Sequence, residues 1–339
     1  MRKGKALYMI IPVLILLLLL LESPKVTAAA ADGIKLCIES LIPSLFPFLF
    51  ITTVLNNYFM AVNNPILRLL GKACGIPAGA EAIFLLGILG GYPAGAQCIS
   101  RSYQRGMLSK ENARHMSGFC NNAGPAFIFG VGAILFKNKI ALLVLWGLQV
   151  ISAVIVGYLT RVNSPETCKV VPTSQTIHEA LMHSVKVMGI ICGWVVIFRI
   201  IVTFLDFLPA ALHTGIIGVL EISNGFFALK HVKNEGIRFI AAAVFLSWGG
   251  FCVLMQTAGL LDQMGIRQYL RSKMLQTFLV FSLSYFAQLL LFSPEDRVKL
   301  PWIIAILPLV SIILYFRSKI VLAFRKNLVY NGGKVQNTE

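Results

Sequence analysis

Long apolar runs, separated by short charged stretches, constrain this sequence more than any other feature. Of its 339 residues, 57% are hydrophobic and only 13% are charged, whereas a soluble domain has about 25% charged residues. Runs of roughly 17–25 apolar residues are long enough to cross a bilayer as helices. Closed barrels, which also satisfy backbone groups in lipid, need short alternating strands. Because the runs do not alternate, we predict an all-α, polytopic membrane helix bundle.

The net charge of +16 has two interpretations. In a soluble protein it would suggest a nucleic-acid partner. In this chain many basic residues flank the apolar runs, as Arg2, Lys3 and Lys5 do at the N-terminus and as the 317–326 segment does near the C-terminus. This pattern is typical of positive-inside membrane topology. We therefore predict that the lipid bilayer is a partner of the chain and that nucleic acid is not.

Motifs of catalysis and metal binding are absent from the sequence. The seven cysteines include no CxxC pair, and several lie inside apolar runs as small hydrophobic residues do. The five histidines have no metal-ligand spacing. The sequence has no Ser-His-Asp elbow, no HExxH motif and no Walker A motif. We predict a protein that is not an enzyme and that uses no metal and no cofactor.

Prolines, glycines and polar residues interrupt several of the apolar runs. Pro43 and Pro47 each remove a backbone donor from the 41–55 run, which kinks or splits a helix. In lipid such breaks survive only where protein or a cavity satisfies the backbone. We therefore predict broken or re-entrant helices. The other predicted breaks lie at 90–95 (Gly-Gly-Tyr-Pro-Ala-Gly), at Gly124 and Pro125 within 119–132, and at 221–225.

The remaining apolar runs predict ordinary spans. A first span is expected over 6–21, followed by an interfacial helix over 28–39. The N-terminus also mimics a signal peptide, but many spans follow it, so we favour an uncleaved span. Ser109 is expected to cap a helix in the charged stretch after 101. Further spans are predicted at 140–160, 188–205 (after an amphipathic stretch at 176–187), 239–257, 275–292 and 301–316.

The two halves of the chain resemble each other in the order of their elements. Repeats with interrupted helices at matching positions are typical of secondary transporters, and the interruptions indicate the binding site. The matching segments are 41–55 with 193–205, 87–96 with 218–227, and 124–135 with 249–260. The predicted divisions are an N-terminal span and link (1–30), a first repeat (31–162), a polar linker (163–175), a second repeat (176–292), and a last span with a basic tail (293–339).

Two polar segments interrupt the first half. Around Gly91 and Pro93, a broken helix would leave free N–H groups that favour anions, although a tight turn or close helix packing is the alternative. Asn121 and Asn122 lie next to the break at Gly124, where they can bind a polar solute or join neighbouring helices. Because burying an amide without partners costs a few kcal/mol, protein or ligand must satisfy them.

Two charged residues of the second half lie in apolar surroundings. Glu221 ends an apolar run, where an acid costs roughly 2.5–3.5 kcal/mol at a membrane centre and is usually functional; the alternative is an interfacial position. Arg199 has apolar residues on both sides. It could extend to the membrane surface, pair with Glu221, or contact an anionic substrate. A buried Arg199–Glu221 pair for which a ligand competes would act as a gate.

Four segments carry a resemblance to a known family. LIPSLFPFLFITTVL, GGYPAG, CNNAGPAFIFG and LEISNG resemble segments of sporulation integral membrane proteins of the YlbJ type, in the nucleoside-recognition (Gate-domain) superfamily. The resemblance covers roughly 30–292 and is strongest in the first half. It implies two Gate-like repeats of broken helices around a central site, similar in design to concentrative nucleoside carriers. It also implies a role in moving dipicolinic acid across the outer forespore membrane.

The resemblance and the residue patterns together predict a site for a small organic anion. Dipicolinate is a planar dianion whose carboxylates could bind helix N-termini, asparagine amides and Arg199. Glu221 would repel it unless that carboxyl group is protonated, paired or bound to a coupling cation. The resemblance carries over Pro47, Gly91, Pro93, Asn121, Asn122, Gly124, Pro125, Glu221, Asn224 and Gly225 to the site, and the local patterns add Arg199 and Ser223.

Two other functions stay open from the sequence. The chain could transport nucleosides or another small metabolite, which would need amides and carboxylates rather than an arginine. It could also be a structural or assembly protein of the spore envelope, with no flux through it. A multi-pass location in the cell membrane, with the outer forespore membrane implied by the resemblance, fits all of these functions. A homo-oligomer is a further open alternative.

Overall fold

The computed structural model describes residues 19–60, 64–162, 168 and 176–312, together with the single positions 13 and 17. Most of the predicted first span at 6–21, most of the polar linker at 163–175, and the C-terminal tail from 313 lie outside these residues. Every regular element within the described residues is a helix, which confirms the all-α prediction.

The chain combines long apolar spans with groups of shorter helices. The helices are α1 (Ser23–Leu36), α2 (Ile42–Met60), α3 (Pro65–Cys74), α4 (Glu81–Gly90), α5 (Ala94–Gln104), α6 (Lys110–Ser117), α7 (Pro125–Gly130), α8 (Lys139–Thr160), α9 (Ile177–Thr203), α10 (Ala210–Leu220), α11 (Ile222–Leu229), α12 (Glu235–Trp248), α13 (Gly250–Leu260), α14 (Arg267–Leu291) and α15 (Trp302–Ile312). Five described stretches are long and apolar enough to cross a membrane: Ser23–Leu55, Lys139–Thr160, Ile177–Thr203, Glu235–Leu260 and Arg267–Leu291. The predicted polytopic bundle is therefore confirmed.

The predicted break at Pro43 and Pro47 is wrong, and so is the separate interfacial helix at 28–39. A single helical stretch of 33 residues runs through Ser23–Leu55. A π-helical turn at Cys37–Leu41 precedes the first proline, and such turns accommodate local irregularities without ending a helix. The hydroxyl of Ser44 donates to the carbonyl of Ser40 at 2.6 Å. The chain therefore remains helical through both prolines.

Two spans of the second half also differ from their predictions. The amphipathic stretch at 176–187 and the span at 188–205 form one helix, α9, because Thr176 and Glu179 make a reciprocal capping box at its start. The predicted uninterrupted span at 239–257 is instead divided between α12 and α13. Gly249 stands at the junction with φ of +80°, a backbone conformation that residues other than glycine rarely adopt.

The other predicted breaks occur, and each lies against a second helix break of the same half. In the first half, a Cβ atom on Gly124 would lie 2.7 Å from Cα of Gly91. In the second half, a Cβ atom on Gly250 would lie 3.2 Å from Cα of Glu221. Each half therefore brings one helix break into backbone contact with another. The order of broken elements is the same in both halves, and the division of the chain into two repeats stays a prediction.

Two hydrophobic clusters hold the bundle together around these breaks. The first contains Phe127 and Phe226, whose ring centroids lie 5.2 Å apart, and the second contains Phe119. The break between α6 and α7 joins the two, since Cys120 belongs to the second cluster and Ala123 to the first. Helix α14 packs against α8 and α12, while α9 packs against α1 and α2. Ser109 caps α6 as predicted, accepting a hydrogen bond from the Asn112 N–H at 3.3 Å.

Candidate functional site

A cavity lies where the helix breaks of both halves meet. Gly91 and Gly124 line it from the first half, and Glu221 and Ser223 line it from the second. The volume of the cavity is about 50 Å³, which is enough for a few water molecules. The cavity is therefore formed but narrow in this conformation.

Glu221 is the buried acid of the cavity, with 1% of the residue exposed. Its carboxylate is the N-cap of α11 and accepts hydrogen bonds from the backbone N–H groups of Ser223 at 2.9 Å and Asn224 at 2.7 Å. A helix N-terminus stabilises a negative charge at this position. In the part of the chain that the structure describes, Glu221 forms no ion pair. The hydrogen bonds that hold this carboxyl group come from the first residues of α11.

Arg199 does not contact Glu221, so the predicted gate between them is absent. Its guanidinium pairs with Asp32 of α1 at 3.2 Å, and both side chains are exposed, at 37% and 62%. Gly33 allows this pairing, because any Cβ atom there would lie 3.1 Å from the backbone of α9 at Val196. The close approach of α1 to α9 thus brings Asp32 to Arg199. The arginine lies at the surface, as the first of its three interpretations proposed.

Lys273 of α14 is a buried cation that the sequence interpretation missed. The residue is 1% exposed. Its ammonium group donates to Gln276 Oε1 at 2.8 Å, to the Tyr92 hydroxyl at 3.1 Å and to Asn122 Oδ1 at 3.1 Å. Among the described residues no carboxylate pairs with it. A charged group inside a membrane protein is costly and marks a functional position by default.

The sequence did contain a signal for Lys273. The span was predicted at 275–292, which left the lysine in the preceding loop, whereas α14 begins at Arg267. Tyr269, Lys273 and Gln276 recur at spacings of four and three, which places them on one face of a helix. A polar face that continues into an apolar run indicates a span with a buried polar side.

Asn122 connects the first-half break to Lys273. Its Oδ1 also accepts from Gln276 Nε2 at 2.9 Å, and its own amide donates to the Phe119 carbonyl at 2.6 Å. Gln276 further donates to Ser152 Oγ of α8 at 3.1 Å. The side chain of Asn122 is therefore satisfied by protein, within a polar cluster of Tyr92, Asn122, Ser152, Lys273 and Gln276 that we call the lysine network.

Asn121 has a different role from its neighbour. Its amide donates to Thr257 Oγ1 of α13 at 3.2 Å, and its Oδ1 accepts from the Ala96 N–H at 3.4 Å. These contacts join α5 to α13 across the two halves. The helix-joining interpretation therefore describes Asn121, while Asn122 belongs to the lysine network.

Tyr92 lies between the lysine network and the cavity. It lines the cavity, and its hydroxyl accepts from Lys273 and donates to the Leu246 carbonyl at 3.2 Å. The ammonium group is 5.1 Å from the centre of the tyrosine ring, within the range of a cation–π contact. One side chain thus separates the buried cation from the cavity.

The structure gathers only part of the predicted site. Pro47 is exposed, Pro93 and Pro125 stand at the starts of α5 and α7, and Gly225 packs against Gly218, where a Cβ atom would lie 2.5 Å from Cα. Asn224 and Arg199 line a separate surface pocket with Asp32. The predicted residues that line the cavity are Gly91, Gly124, Glu221 and Ser223.

The fold and the cavity define a class: a multi-pass, all-α membrane protein whose broken helices surround a largely apolar internal cavity that contains a buried acid. Among curated proteins, the chain is similar to the sporulation integral membrane protein YlbJ of Bacillus subtilis (strain 168). The two are 22% identical over 296 residues, which cover 70% of this chain and 71% of the relative. No protein-family model matches the chain, and no solved structure matches it. The chain is thus a relative of the YlbJ-type sporulation membrane proteins.

Proposed function

We propose that this chain transports a small organic anion across a membrane, and that the anion is dipicolinate crossing the outer forespore membrane during sporulation. The observation that carries the proposal is Lys273, a buried ammonium group with no carboxylate partner among the described residues, one side chain away from the cavity. An ammonium group attracts an anion strongly in an interior of low dielectric constant. The relation to a sporulation membrane protein supports the biological setting.

Transport requires the cavity to change size. The cavity, with a volume of about 50 Å³, is too small for a pyridine dicarboxylate. The pairs of helix breaks must therefore move apart when the anion binds. Broken helices around a central site support such movements in secondary transporters, in which one repeat rocks against the other.

Glu221 needs a role that is compatible with an anionic substrate. Its carboxylate lines the cavity without a cationic partner in the described structure, and it would repel a bound dianion. A proton or a small cation on Glu221 removes this repulsion, so we propose that one of them accompanies the anion. Lys273 then attracts the substrate, while Glu221 couples its movement to a second ion.

Transport of a nucleoside or another small metabolite is the second candidate function. The observation in its favour is Glu221, because a buried carboxylate can accept hydrogen bonds from sugar hydroxyls. Competition separates the two candidates, since uridine would inhibit only a nucleoside carrier. A structural or assembly role in the spore envelope would instead leave the cavity residues replaceable, provided that packing is kept.

Replacing Glu221 by glutamine tests the proposed coupling in the sporulating host. We expect a strain lacking the gene to make spores with little dipicolinate, and we expect the Glu221→Gln gene to restore none of it. The amide oxygen still caps α11 through one of the two N–H groups, so the cost in stability is about 1 kcal/mol. Glu295→Gln, at an exposed position, is the matched control and should restore the content. Full restoration by Glu221→Gln would remove this residue from the mechanism.

Replacing Asn122 by alanine tests the lysine network. The change removes one acceptor of the Lys273 ammonium group. A hydrogen bond to a charged group contributes about 1.5 kcal/mol, which corresponds to about tenfold in an equilibrium constant. We therefore expect dipicolinate uptake by proteoliposomes to fall about tenfold. Asn121→Ala is the control, because Asn121 bonds Thr257 and not Lys273; it should lower stability and keep the flux per folded molecule. Equal uptake by Asn122→Ala and wild type would contradict the assignment.

A further inference from the structure

A second pocket, separate from the cavity, lies at the N-terminal ends of α6 and α14. It has a volume of about 670 Å³, which is ample for a small organic anion. Lys110, Arg114, Arg267 and Arg271 line it, together with one acid, Glu111. The lining thus has four basic side chains and one acidic side chain, and we call this site the basic pocket.

The charges of the basic pocket are not compensated by neighbouring side chains. None of the four basic residues forms an ion pair with another residue in the described ranges. The Nε of Arg114 donates to the carbonyl of Met264, which holds this guanidinium group at the pocket and ties α6 to the turn before α14. The other three basic side chains are exposed and free to meet a ligand.

The backbone adds to the positive potential. Helix N-termini carry a partial positive charge, and both α6 and α14 begin at this pocket, at Lys110 and Arg267. The first of these ends is capped by Ser109. The residue that precedes α14, Ile266, makes no side-chain cap. The pocket therefore combines cationic side chains with one helix end that no side chain caps.

The basic pocket and the buried cation share a helix. Lys273 follows Arg267 by six positions on α14, which corresponds to about 9 Å along the helix axis. Ser272 lies between them, is 1% exposed, and its hydroxyl has no hydrogen-bond partner in the described structure. A buried hydroxyl without a partner calls for an explanation. The hydroxyl faces Gly118, at the end of α6, and passage of a hydrated or hydrogen-bonding solute between α6 and α14 supplies an explanation.

We propose that the basic pocket is an outer binding site of the same route, where a small dicarboxylate binds before it reaches Lys273. The inference rests on the proposed transport of an organic anion. A phosphate-bearing lipid headgroup presents similar negative charge, so the experiment must separate a soluble anion from a lipid.

The test uses the full-length chain in vesicles of phosphatidylcholine, with radiolabelled dipicolinate as the probe. The double variant Arg267→Gln/Arg271→Gln is expected to raise the KM of uptake about tenfold and to leave the maximal rate unchanged, because basic clefts raise local anion concentration by about that factor or more. The dependence of KM on salt should weaken as well. Lys230→Gln/Lys233→Gln makes the same change of charge at exposed positions outside both pockets and should behave as wild type.

The other outcomes would contradict the inference, and each of them identifies a different cause. A double variant that takes up dipicolinate with the same KM as the wild type would show that the basic pocket does not bind the substrate. Absence of uptake by wild type would overturn the proposed function itself. An effect that appears only in vesicles with anionic lipid would assign the pocket to a headgroup. If the double variant does not fold, Arg271→Gln alone should raise the KM about threefold, and no change would again reject the pocket.

Discussion

Methionine in place of Lys273 is expected to lower dipicolinate uptake about 10- to 100-fold, because a charge-assisted hydrogen bond contributes about 1.5–3 kcal/mol. The loss should appear in uptake and not in the amount of folded protein. Without the lysine, Asn122 Oδ1 still accepts from Gln276, and the Tyr92 hydroxyl still donates to Leu246. Only Gln276 Oε1 loses the donor shown for it, so the lysine network keeps most of its bonds.

The measurement is the initial rate of uptake of radiolabelled dipicolinate by proteoliposomes containing matched amounts of protein. Lys230→Met is the control, because that lysine is exposed and lies outside the cavity and the basic pocket. It should transport as wild type does. Uptake at the wild-type rate by Lys273→Met would show that the buried ammonium group does not act on the anion, and the proposal would lose its main support.

Alanine in place of Gly95 is expected to destabilise the protein by about 3 kcal/mol or more, the upper end of the cost of overpacking a core. A Cβ atom at this position would overlap the carbonyl oxygen of Cys120, and the same is true of Gly87 on the neighbouring helix. Because the obstacle is backbone on the break between α6 and α7, a rotamer change cannot relieve it. The break would have to move away from α4 and α5, which would also displace Gly124 and Asn122.

The matched control for Gly95→Ala is Gly147→Ala in α8, where nothing lies within 4 Å of the added Cβ atom. At such a helical position the change should stabilise the protein by about 0.4–1 kcal/mol, since alanine restricts the unfolded chain. The two variants therefore change stability in opposite directions. Thermal unfolding in detergent measures both, and a Tm for Gly95→Ala at or above that of Gly147→Ala would contradict the packing described here.

The helix breaks could be predicted from the sequence where glycine, proline and polar residues fall together. This holds for Gly91 and Pro93, for Gly124 and Pro125, and for Glu221, all of which stand at helix ends in the structure. The prediction of a break fails at Pro43 and Pro47, because the π-helical turn before them is a backbone adjustment that the residue pattern does not predict. Local chemistry thus predicts where a helix can break, and the surrounding structure decides whether it does.

The candidate site was only partly predictable, because side-chain pairing depends on how helices pack. Arg199 has Asp32 as its partner only because Gly33 lets α1 approach α9, and these two elements are far apart in the sequence. Lys273 was missed because its polar neighbours resemble a loop until α14 is known to begin at Arg267. The breaks that line the cavity could be predicted from the sequence, whereas Lys273 is recognised only when α14 is extended back to Arg267.

The central claim is that the chain moves a small organic anion, and uptake by the wild-type chain tests it most directly. Proteoliposomes and empty liposomes are compared for uptake of radiolabelled dipicolinate, with an excess of either unlabelled dipicolinate or uridine as competitor. We expect uptake well above that of empty liposomes, abolished by unlabelled dipicolinate and unchanged by uridine. Uptake equal to that of empty liposomes, or uptake that uridine abolishes, would contradict the account.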